Sequence, residues 1–377
     1  MSSLYFHIPF CETKCIYCDF YSIENLDEKK VFVESLIKEI ELQKQFHKEK
    51  IETIFLGGGT PSLLNSNELE KIFSAIQKYF HVEDNCEITI ECNPGTVDKT
   101  KFNDYKKLKI NRISFGVQSF FDDDLKFLSR IHSSKDAINS IKLAQDVGFD
   151  NINLDLIFSL PNQTQIKWEK NLLTAIKLNT NHISAYSLTY EKNTPIFKLL
   201  NDKQITPLSN EDDAILYERT IKLINDFGFN QYEVSNFAKK KFECKHNINY
   251  WTHKNYISFG PSAHSFWKDN LKRWWNVSNL KNYLKKISEN ELPISGSEVL
   301  NNDQFLMEKI MLGLRSGGID ILEINRIFKI DFFSKTNNLI YKLEKNNLAT
   351  YKNNILKLTS SGFLVCDEII KEFQKLF

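Results

Sequence analysis

Hydrophobic and polar positions follow two alternating patterns as far as about residue 190. Short runs of apolar, β-branched residues are separated by longer stretches of helical period, such as "NELEKIFSAIQKYF". Short apolar runs between amphipathic helices are typical of βα units, in which helices cover a parallel sheet. The pattern predicts six strands, at residues 3–10, 52–59, 86–93, 112–119, 151–160 and 182–189.

Glycine and polar residues collect where the predicted strands end. They occur at Cys11, Gly57 to Thr60, Glu91 to Pro94, Gln118 and Pro161. A site assembled from many strand ends is typical of the mouth of a βα barrel, whereas an open doubly wound sheet offers a single crevice. The pattern therefore favours a complete or partial barrel.

The rest of the chain has a different pattern. A long helix, "EDDAILYERTIKLINDFGF", precedes an aromatic, polar stretch from Gln231 to Trp275 that shows little periodicity and is predicted to be a long functional loop. Residues 300–377 are predicted to form three helices and then two short strands, which is a winged-helix-like order. This segment carries 11 Lys+Arg against 9 Asp+Glu, so we expect it to pack against protein rather than to bind DNA.

Composition and charge exclude several classes of protein. The 377 residues contain 49 Lys+Arg and 48 Asp+Glu, a net charge of +1 that would not concentrate nucleic acid or an anionic membrane at the surface. No segment approaches the eighteen continuous apolar residues of a membrane helix, and the N-terminus has no signal-peptide pattern. We expect a cytoplasmic protein with no nucleic-acid partner and no stable membrane insertion.

Three of the seven cysteines are crowded into "HIPFCETKCIYCDF", at Cys11, Cys15 and Cys18. In a reducing compartment such a group is expected to bind metal or to carry out redox chemistry. One alternative is a structural zinc ion with His7 as a fourth ligand, and a second is a redox pair of Cys15 and Cys18. The third is a four-iron cluster in which three thiolates leave one iron open to a ligand.

The spacing C-x3-C-x2-C with an aromatic residue at Tyr17 resembles the radical S-adenosylmethionine (SAM) superfamily. Further blocks are similar, in order, to the HemN/HemW group around oxygen-independent coproporphyrinogen III oxidase: "FLGGGTPS", "ECNPGT", "RISFGVQSF", "LSRIH", "NLDLIFSLP" and "ISFGPSAHS". This resemblance implies an α/β fold with a partial (β/α)6 TIM-like barrel in residues 1–235 and a connecting segment in residues 236–299. It also implies a small winged-helix-like α+β domain of the HemN C-terminal type in residues 300–377.

The resemblance also implies a set of site residues. Cys11, Cys15 and Cys18 would hold a [4Fe-4S] cluster whose open iron takes the amino and carboxylate groups of S-adenosyl-L-methionine. The positions that match SAM contacts in the family are Tyr5, Tyr17, Gly58, Gly59, Thr60, Glu91, Gln118, Arg130, Asp155 and Thr189. Arg130 could equally form a surface ion pair, and an aromatic residue in a strand is more often part of the core.

Two departures from the oxidase pattern point to the HemW-type branch of the group. Phe20 occupies the position of a fourth cysteine, and only four residues precede Tyr5. The sequence "HNINYW" matches the HNxxYW signature of that branch and makes His246 a predicted haem ligand beside Tyr250 and Trp251. A satisfied loop histidine is the alternative, and the competing haem donors are His253, His264 and Cys244.

The resemblance therefore implies a haem chaperone that binds haem and transfers it to acceptors such as respiratory enzymes. The alternative function is oxygen-independent coproporphyrinogen III oxidase, which uses radical SAM chemistry for oxidative decarboxylation, and a third is a winged-helix regulator. No catalytic residue is assigned. The implied partners are haem, haem-accepting respiratory proteins and an electron donor such as flavodoxin or ferredoxin, and the oligomeric state, monomer or homodimer, stays open.

Overall fold

The computed structural model describes residues 2–377, and the six predicted strands form the parallel centre of its large sheet. These strands span Ser2–Ile8 (β1), Lys50–Gly58 (β2), His81–Cys92 (β3), Arg112–Gln118 (β4), Ile152–Phe158 (β5) and His182–Ser187 (β6). Each strand pairs in parallel with the next one along the chain. This order has no reversal, unlike that of a doubly wound sheet. The predicted α/β class is confirmed.

Helices connect these strands and continue beyond them. They span Lys29–Leu42 (α1), Ser66–Tyr79 (α2), Lys99–Lys107 (α3), Asp122–Phe127 (α4), Ser134–Asp146 (α5), Gln165–Lys177 (α6), Pro195–Asn201 (α7) and Asn210–Asp226 (α8). Two begin with capping boxes, in which Asn65 pairs with Glu68 and Ser133 pairs with Asp136. Each box satisfies free N–H groups at the helix start, which explains why α2 and α5 begin where they do.

The two faces of the parallel strands differ in chemistry. On one face apolar residues such as Leu4, Phe6 and Ile54 are fully buried in the main hydrophobic cluster, together with residues of the helices. On the other face polar side chains hydrogen-bond across strands. His182 Nδ1 lies 2.6 Å from Asn153 Oδ1, and Asn153 donates to Ser114 at 2.8 Å. We call this second side the polar face, and it leads up to the carboxyl ends of the strands.

The prediction of a long loop from Gln231 to Trp275 is wrong. This stretch and the residues that follow form short elements: Asn230–Gln231 (β7), Asn236–Ala238 (β8), Lys245–Trp251 (α9), Asn255–Phe259 (β9), His264–Trp267 (β10), Lys272–Asn276 (β11), Leu280–Ser288 (α10) and Ile294–Val299 (β12). β9 pairs in parallel with β1, and β10, β11 and β12 extend that edge in antiparallel fashion. The elements within Gln231 to Trp275 have at most seven residues, which is too short for a periodic pattern to show in the sequence.

The C-terminal segment contains the predicted three helices and two strands, with additions. Its elements are Asn302–Leu314 (α11), Ile319–Asp320 (β13), Ile321–Phe328 (α12), Phe332–Lys345 (α13), Ala349–Lys352 (β14), Ile355–Leu358 (β15), Ser360–Leu364 (α14) and Cys366–Gln374 (α15). β15 lies between β13 and β14 in a small antiparallel sheet. The sequence pattern did not predict β13, α14 or α15. Along residues 2–377 no helix combines the length and apolar character needed to cross a membrane.

A buried carboxylate joins α1 to the β9–β12 edge of the sheet. Glu39 is fully buried, and its Oε2 accepts from the N–H of Gly260 at 2.8 Å and the hydroxyl of Tyr283 at 2.7 Å. Its Oε1 accepts from the amide of Asn276 at 2.7 Å. Burial raises the pKa of Glu39 to about 7, against the lowering effect of these donors. One side chain thereby fixes the turn after β9, the end of β11 and α10.

We expect Glu39→Ala to destabilise the fold by about 3 kcal/mol, because it leaves the buried N–H of Gly260 and hydroxyl of Tyr283 without an acceptor and removes one of the two acceptors of the Asn276 amide. Urea unfolding of the full chain measures this change. Glu41→Ala is the matched control on the same helix, since Glu41 makes an exposed ion pair with Lys38 at 3.2 Å. The control should stay within about 0.5 kcal/mol of the parent. Equal losses in the two variants would contradict this role for Glu39.

Candidate functional site

A cavity of about 580 Å³ opens at the carboxyl ends of the parallel strands. It is lined by all three crowded cysteines and by nine of the ten predicted SAM-contact residues, namely Tyr17, Gly58, Gly59, Thr60, Glu91, Gln118, Arg130, Asp155 and Thr189. Tyr5 lies beneath it, with its ring stacked on Phe55 in the polar face and its hydroxyl 3.2 Å from His7 Nδ1. Residues from positions 11 to 189 are thus brought to one place.

The three cysteines lie on the loop between β1 and α1, which we call the cysteine loop. Backbone hydrogen bonds close this loop. Cys11 N–H donates to the carbonyl of Ile23 at 2.9 Å, and Cys18 N–H donates to the carbonyl of Cys15 at 3.1 Å. All three thiols are half-buried, and none of them forms a disulfide bond. Burial raises the pKa of Cys11 and raises that of Cys18 to about 11. A metal that takes these thiols as thiolates must therefore displace protons when it binds.

Two donors from other elements reach this cysteine loop. Arg130 Nη1 lies 3.4 Å from Cys15 Sγ, and the Thr60 hydroxyl lies 3.7 Å from Cys11 Sγ. The Thr60 hydrogen bond lowers the pKa of Cys11, against the larger effect of burial. The sulfur atoms of the cysteine loop therefore lie beside one positively charged side chain and one hydroxyl group.

The arrangement of the sulfurs bears on the three alternatives for the cysteines. Across residues 2–377, no three histidine, cysteine or carboxylate side chains are close enough to share one metal ion. A four-iron cluster binds each thiolate to a different iron, so its ligands need only face one cavity. His7, the fourth ligand of the zinc alternative, is buried and hydrogen-bonded through Nε2 to the carbonyl of Tyr21 at 2.8 Å. The site fits a cluster better than a single zinc ion.

The glycines after β2 allow two backbone segments to approach closely. Gly59 N–H donates to the carbonyl of Ile8 at 2.8 Å, and Thr60 N–H donates to that of Phe10 at 2.7 Å. A Cβ on Gly59 would lie 2.6 Å from the Phe10 oxygen. Gly58 has φ +110, and a Cβ there would lie 2.8 Å from the His7 ring. The glycine segment is therefore a fixed support for the cysteine loop.

Two carboxyl groups and one guanidinium give the cavity its electrostatic character. Burial and the nearby Asp155 raise the pKa of Glu91 to about 8, and burial raises that of Asp155. A cationic ligand placed near both would relieve this repulsion. Arg130 donates to Asn93 at 2.6 Å and to the Gly116 carbonyl at 2.7 Å, while its buried Nε has no partner. The alternative that Arg130 forms a surface ion pair is therefore wrong.

Comparison with known proteins identifies the family. Residues 5–174 match the radical SAM superfamily. "Heme chaperone HemW" of Bacillus subtilis is 33% identical over 380 residues, which cover 99% of each chain. "Heme chaperone HemW" of Escherichia coli is 39% identical over 267 residues, which cover 70% of this chain and 69% of that protein. The chain belongs to the HemW haem chaperone family. The resemblance seen in the motifs is confirmed.

A solved structure supports the fold of this HemW family member. The structure titled "Coproporphyrinogen III oxidase (HemN) from Escherichia coli is a Radical SAM enzyme" matches 100% of this chain and 90% of its own, with a TM-score of 0.85. At 22% identity this likeness shows the fold alone. The chain thus has an α/β radical SAM fold, with a large mixed sheet and a small antiparallel C-terminal sheet. Membership of the superfamily implies a [4Fe-4S] cluster and SAM, which the cysteine loop and the glycine support fit.

The HNxxYW motif of this HemW family member lies on a helix, which corrects the expectation of a loop. His246 is only 1% exposed on α9. Its Nδ1 lies 2.7 Å from the hydroxyl of Thr53, and its Nε2 lies 2.9 Å from that of Tyr250. Both ring nitrogens are occupied, so neither is free for an iron atom in this conformation.

α9 lies at the amino end of the parallel strands, away from the cysteines. Glu87 accepts from the N–H groups of Lys245 at 3.1 Å and His246 at 3.0 Å, and Asn249 donates to Ser3 at 2.9 Å. Thr53, the partner of His246, precedes Gly58 by five positions, or roughly 16 Å of strand. The HNxxYW helix therefore covers the polar face at the amino ends of the strands. The structure does not place His246 in the cavity that the cysteines line.

Several residues of the cavity were not predicted from the sequence. Phe20 was singled out only as the position of a missing cysteine, yet its side chain is 69% exposed at the cavity mouth. Asn93 lies in the "ECNPGT" block directly after β3, and its contact with Arg130 could have been suspected from that position. Tyr186 and Leu188, at the end of β6, complete the opposite wall. A strand end rich in aromatic and apolar residues gives no polar signal in the sequence.

Proposed function

We propose that this chain is a haem chaperone, which binds haem and transfers it to acceptor proteins such as respiratory enzymes. The full-length likeness to proteins named as haem chaperones carries this proposal, because the Bacillus subtilis relative covers 99% of both chains. This match extends over all three ranges into which we propose to divide the chain, namely a barrel domain in residues 1–235, a connecting segment in residues 236–299 and a C-terminal domain in residues 300–377.

We further propose that the cysteine loop carries a [4Fe-4S] cluster on Cys11, Cys15 and Cys18. Three thiolates can bind only three of the four irons, so one iron is left without a protein ligand. When the cluster is bound, this iron would coordinate the methionine end of SAM. Gly58, Gly59 and Thr60 bring backbone close to the cysteine loop. An external electron donor of the flavodoxin or ferredoxin class would reduce such a cluster.

The proposed SAM contacts divide by charge. Glu91 and Asp155 suit the ammonium and sulfonium groups, since both carboxyl groups have raised pKa values that a neighbouring cation would lower. Arg130 has an unpartnered buried Nε, which suits a carboxylate or a hydroxyl of the ligand. The remaining proposed contacts are those at the cavity surface or beneath it, namely Tyr5, Tyr17, Gln118 and Thr189.

The strand order supports the finer architecture that we propose, a partial (β/α)6 barrel with a winged-helix-like C-terminal domain. Six parallel strands in sequence order form the wall, and α9 closes its lower end through Glu87, Asn249 and His246. The mouth beside the cysteines is then left as the route for ligands. In this arrangement His246 holds α9 in place, and it could bind haem only if α9 left the strands.

We expect the wild-type protein, with its cluster reconstituted anaerobically, to bind about one haemin per chain and to leave coproporphyrinogen III unconsumed in the presence of SAM and a reductant. We expect coproporphyrinogen III to remain because Phe20 at the cavity mouth stands in place of the fourth cysteine of the oxidase. Haemin titration by Soret absorbance and chromatography of the porphyrins measure both on one preparation. Formation of protoporphyrinogen IX would replace the chaperone proposal with the oxidase. Absence of haemin binding would also overturn it.

A further inference from the structure

The haem iron of a carrier needs a donor atom that is neutral, free and reachable. Three of the four donors suggested by the sequence do not meet these conditions. His246 uses both ring nitrogens in the core. Cys244 is fully buried with Sγ 3.6 Å from Glu87, and His253 is buried with Nε2 3.2 Å from Glu308. His264 is the fourth.

His264 differs from these three in its surroundings. It is exposed at the first position of β10, and within residues 2–377 its ring has no hydrogen bond or ion pair. His81 also lacks a hydrogen bond, but its Nε2 lies 3.8 Å from the carboxylate of Glu83. Burial and the nearby Arg273 lower the pKa of His264. Neither of its ring nitrogens has a partner among residues 2–377, so both are open to a ligand.

An indole holds the His264 ring in a defined orientation. The rings of His264 and Trp275 face each other across β10 and β11, with centroids 6.0 Å apart and planes 23° from parallel. Trp275 in turn lies flat on β12, where a Cβ on Gly296 would come within 2.5 Å of the indole. Only glycine permits this approach. The imidazole is thus stacked on a fixed aromatic surface and does not move freely as an isolated surface side chain would.

The β9–β12 edge of the sheet, which carries His264, also contacts the cysteine loop. Tyr21 of that loop accepts at its hydroxyl from Leu280 N–H at 2.6 Å, and Val277 accepts from Ser262 N–H at 2.9 Å. Leu280 is the first residue of α10, Val277 lies between Trp275 and that helix, and Ser262 lies two positions before His264. Two hydrogen bonds, joined by the backbone from Val277 to Leu280, therefore connect the cysteine loop to the segment around His264.

We propose that His264 is the axial ligand of the haem iron and that Trp275 is the residue that positions its imidazole. This inference rests on the proposed function, since it names the ligand of the haem that the chaperone carries. An exposed ligand suits a carrier, because cargo at the surface can be transferred without unfolding of the carrier.

Haemin titration of the full, reconstituted chain tests this assignment with three variants. We expect His264→Ala to weaken binding by at least about tenfold, since even the partners of metal ligands contribute that much. His264→Met should still bind, but with a shifted Soret band and a changed electron paramagnetic resonance signal, because a thioether replaces the imidazole. His81→Ala, at an exposed histidine on another strand, should match the wild type. Iron content and far-UV circular dichroism check that each variant is folded.

The outcomes separate the ligand from the function. If wild-type protein binds no haemin, both the proposed function and this inference are overturned. If wild-type protein binds and His264→Ala binds equally well with the same spectrum, only the ligand assignment is overturned. Equal losses in His264→Ala and His81→Ala would indicate non-specific binding at surface histidines and would also overturn it.

Discussion

Cys15→Ala should abolish the iron–sulfur cluster, reducing iron from about four per chain to near zero after anaerobic reconstitution. Cys15 lies between the other two cysteines of the loop, and its sulfur is the one that Arg130 contacts at 3.4 Å. A cubane held by only two thiolates is exposed to solvent at two irons. Iron and sulfide analysis with visible absorbance measures the loss, and SAM binding should disappear with it.

The control for this variant is Cys366→Ala, which removes a buried thiol of α15 in the C-terminal segment. It should retain both iron and absorbance, because Cys366 lies outside the cysteine cavity. Unchanged iron in Cys15→Ala would show that these cysteines do not form the cluster site. A loss of iron in both variants would indicate that the fold, not the ligand set, had been damaged.

Gly59→Ala is expected to damage the site without removing any ligand. Its new Cβ would lie 2.6 Å from the Phe10 carbonyl oxygen and 2.9 Å from the Phe10 nitrogen. Because backbone atoms cannot rotate away as a side chain can, the cysteine loop must shift, at a cost of about 1–3 kcal/mol. We expect weaker SAM binding and incomplete reconstitution of iron, measured by equilibrium dialysis of labelled SAM and by iron analysis.

Gly317→Ala is the matched control, since a Cβ there would meet no atom within 4 Å and its φ is not in the left-handed range. That variant should bind SAM and iron as the wild type does. If Gly59→Ala also bound both normally, the glycine segment would be an ordinary tight turn and not the support of the cysteine loop.

The parallel strands could be predicted from the sequence because each one carries a continuous signal. The predicted ends lie within a few residues of those in the structure, and the main difference is at β3, which begins at His81 instead of residue 86. Its first residues, "HVEDN", are mostly polar and do not show the apolar pattern. The cavity residues were predicted from the family motifs, because those motifs lie at strand ends that the barrel-like order brings together.

The environment of His246 could not be predicted in the same way. Its Nδ1 is hydrogen-bonded to Thr53, 193 positions earlier in the chain. Neither residue carries a local signal of this contact, and α9 is only seven residues long. For the same reason the exposed, stacked ring of His264 depends on Trp275 and Gly296, which come from two further strands. Partners distant in sequence decide which histidine is free.

Haem transfer tests the chaperone proposal most directly. The reconstituted protein, loaded with one haemin, is mixed with the apo form of a haem-binding respiratory subunit, and the Soret band of the acceptor is followed. We predict transfer at a rate that rises with acceptor concentration and exceeds the release of haemin to an unrelated apo-globin. A rate equal to that passive release, whatever the acceptor and its concentration, would contradict the proposal that this chain delivers haem.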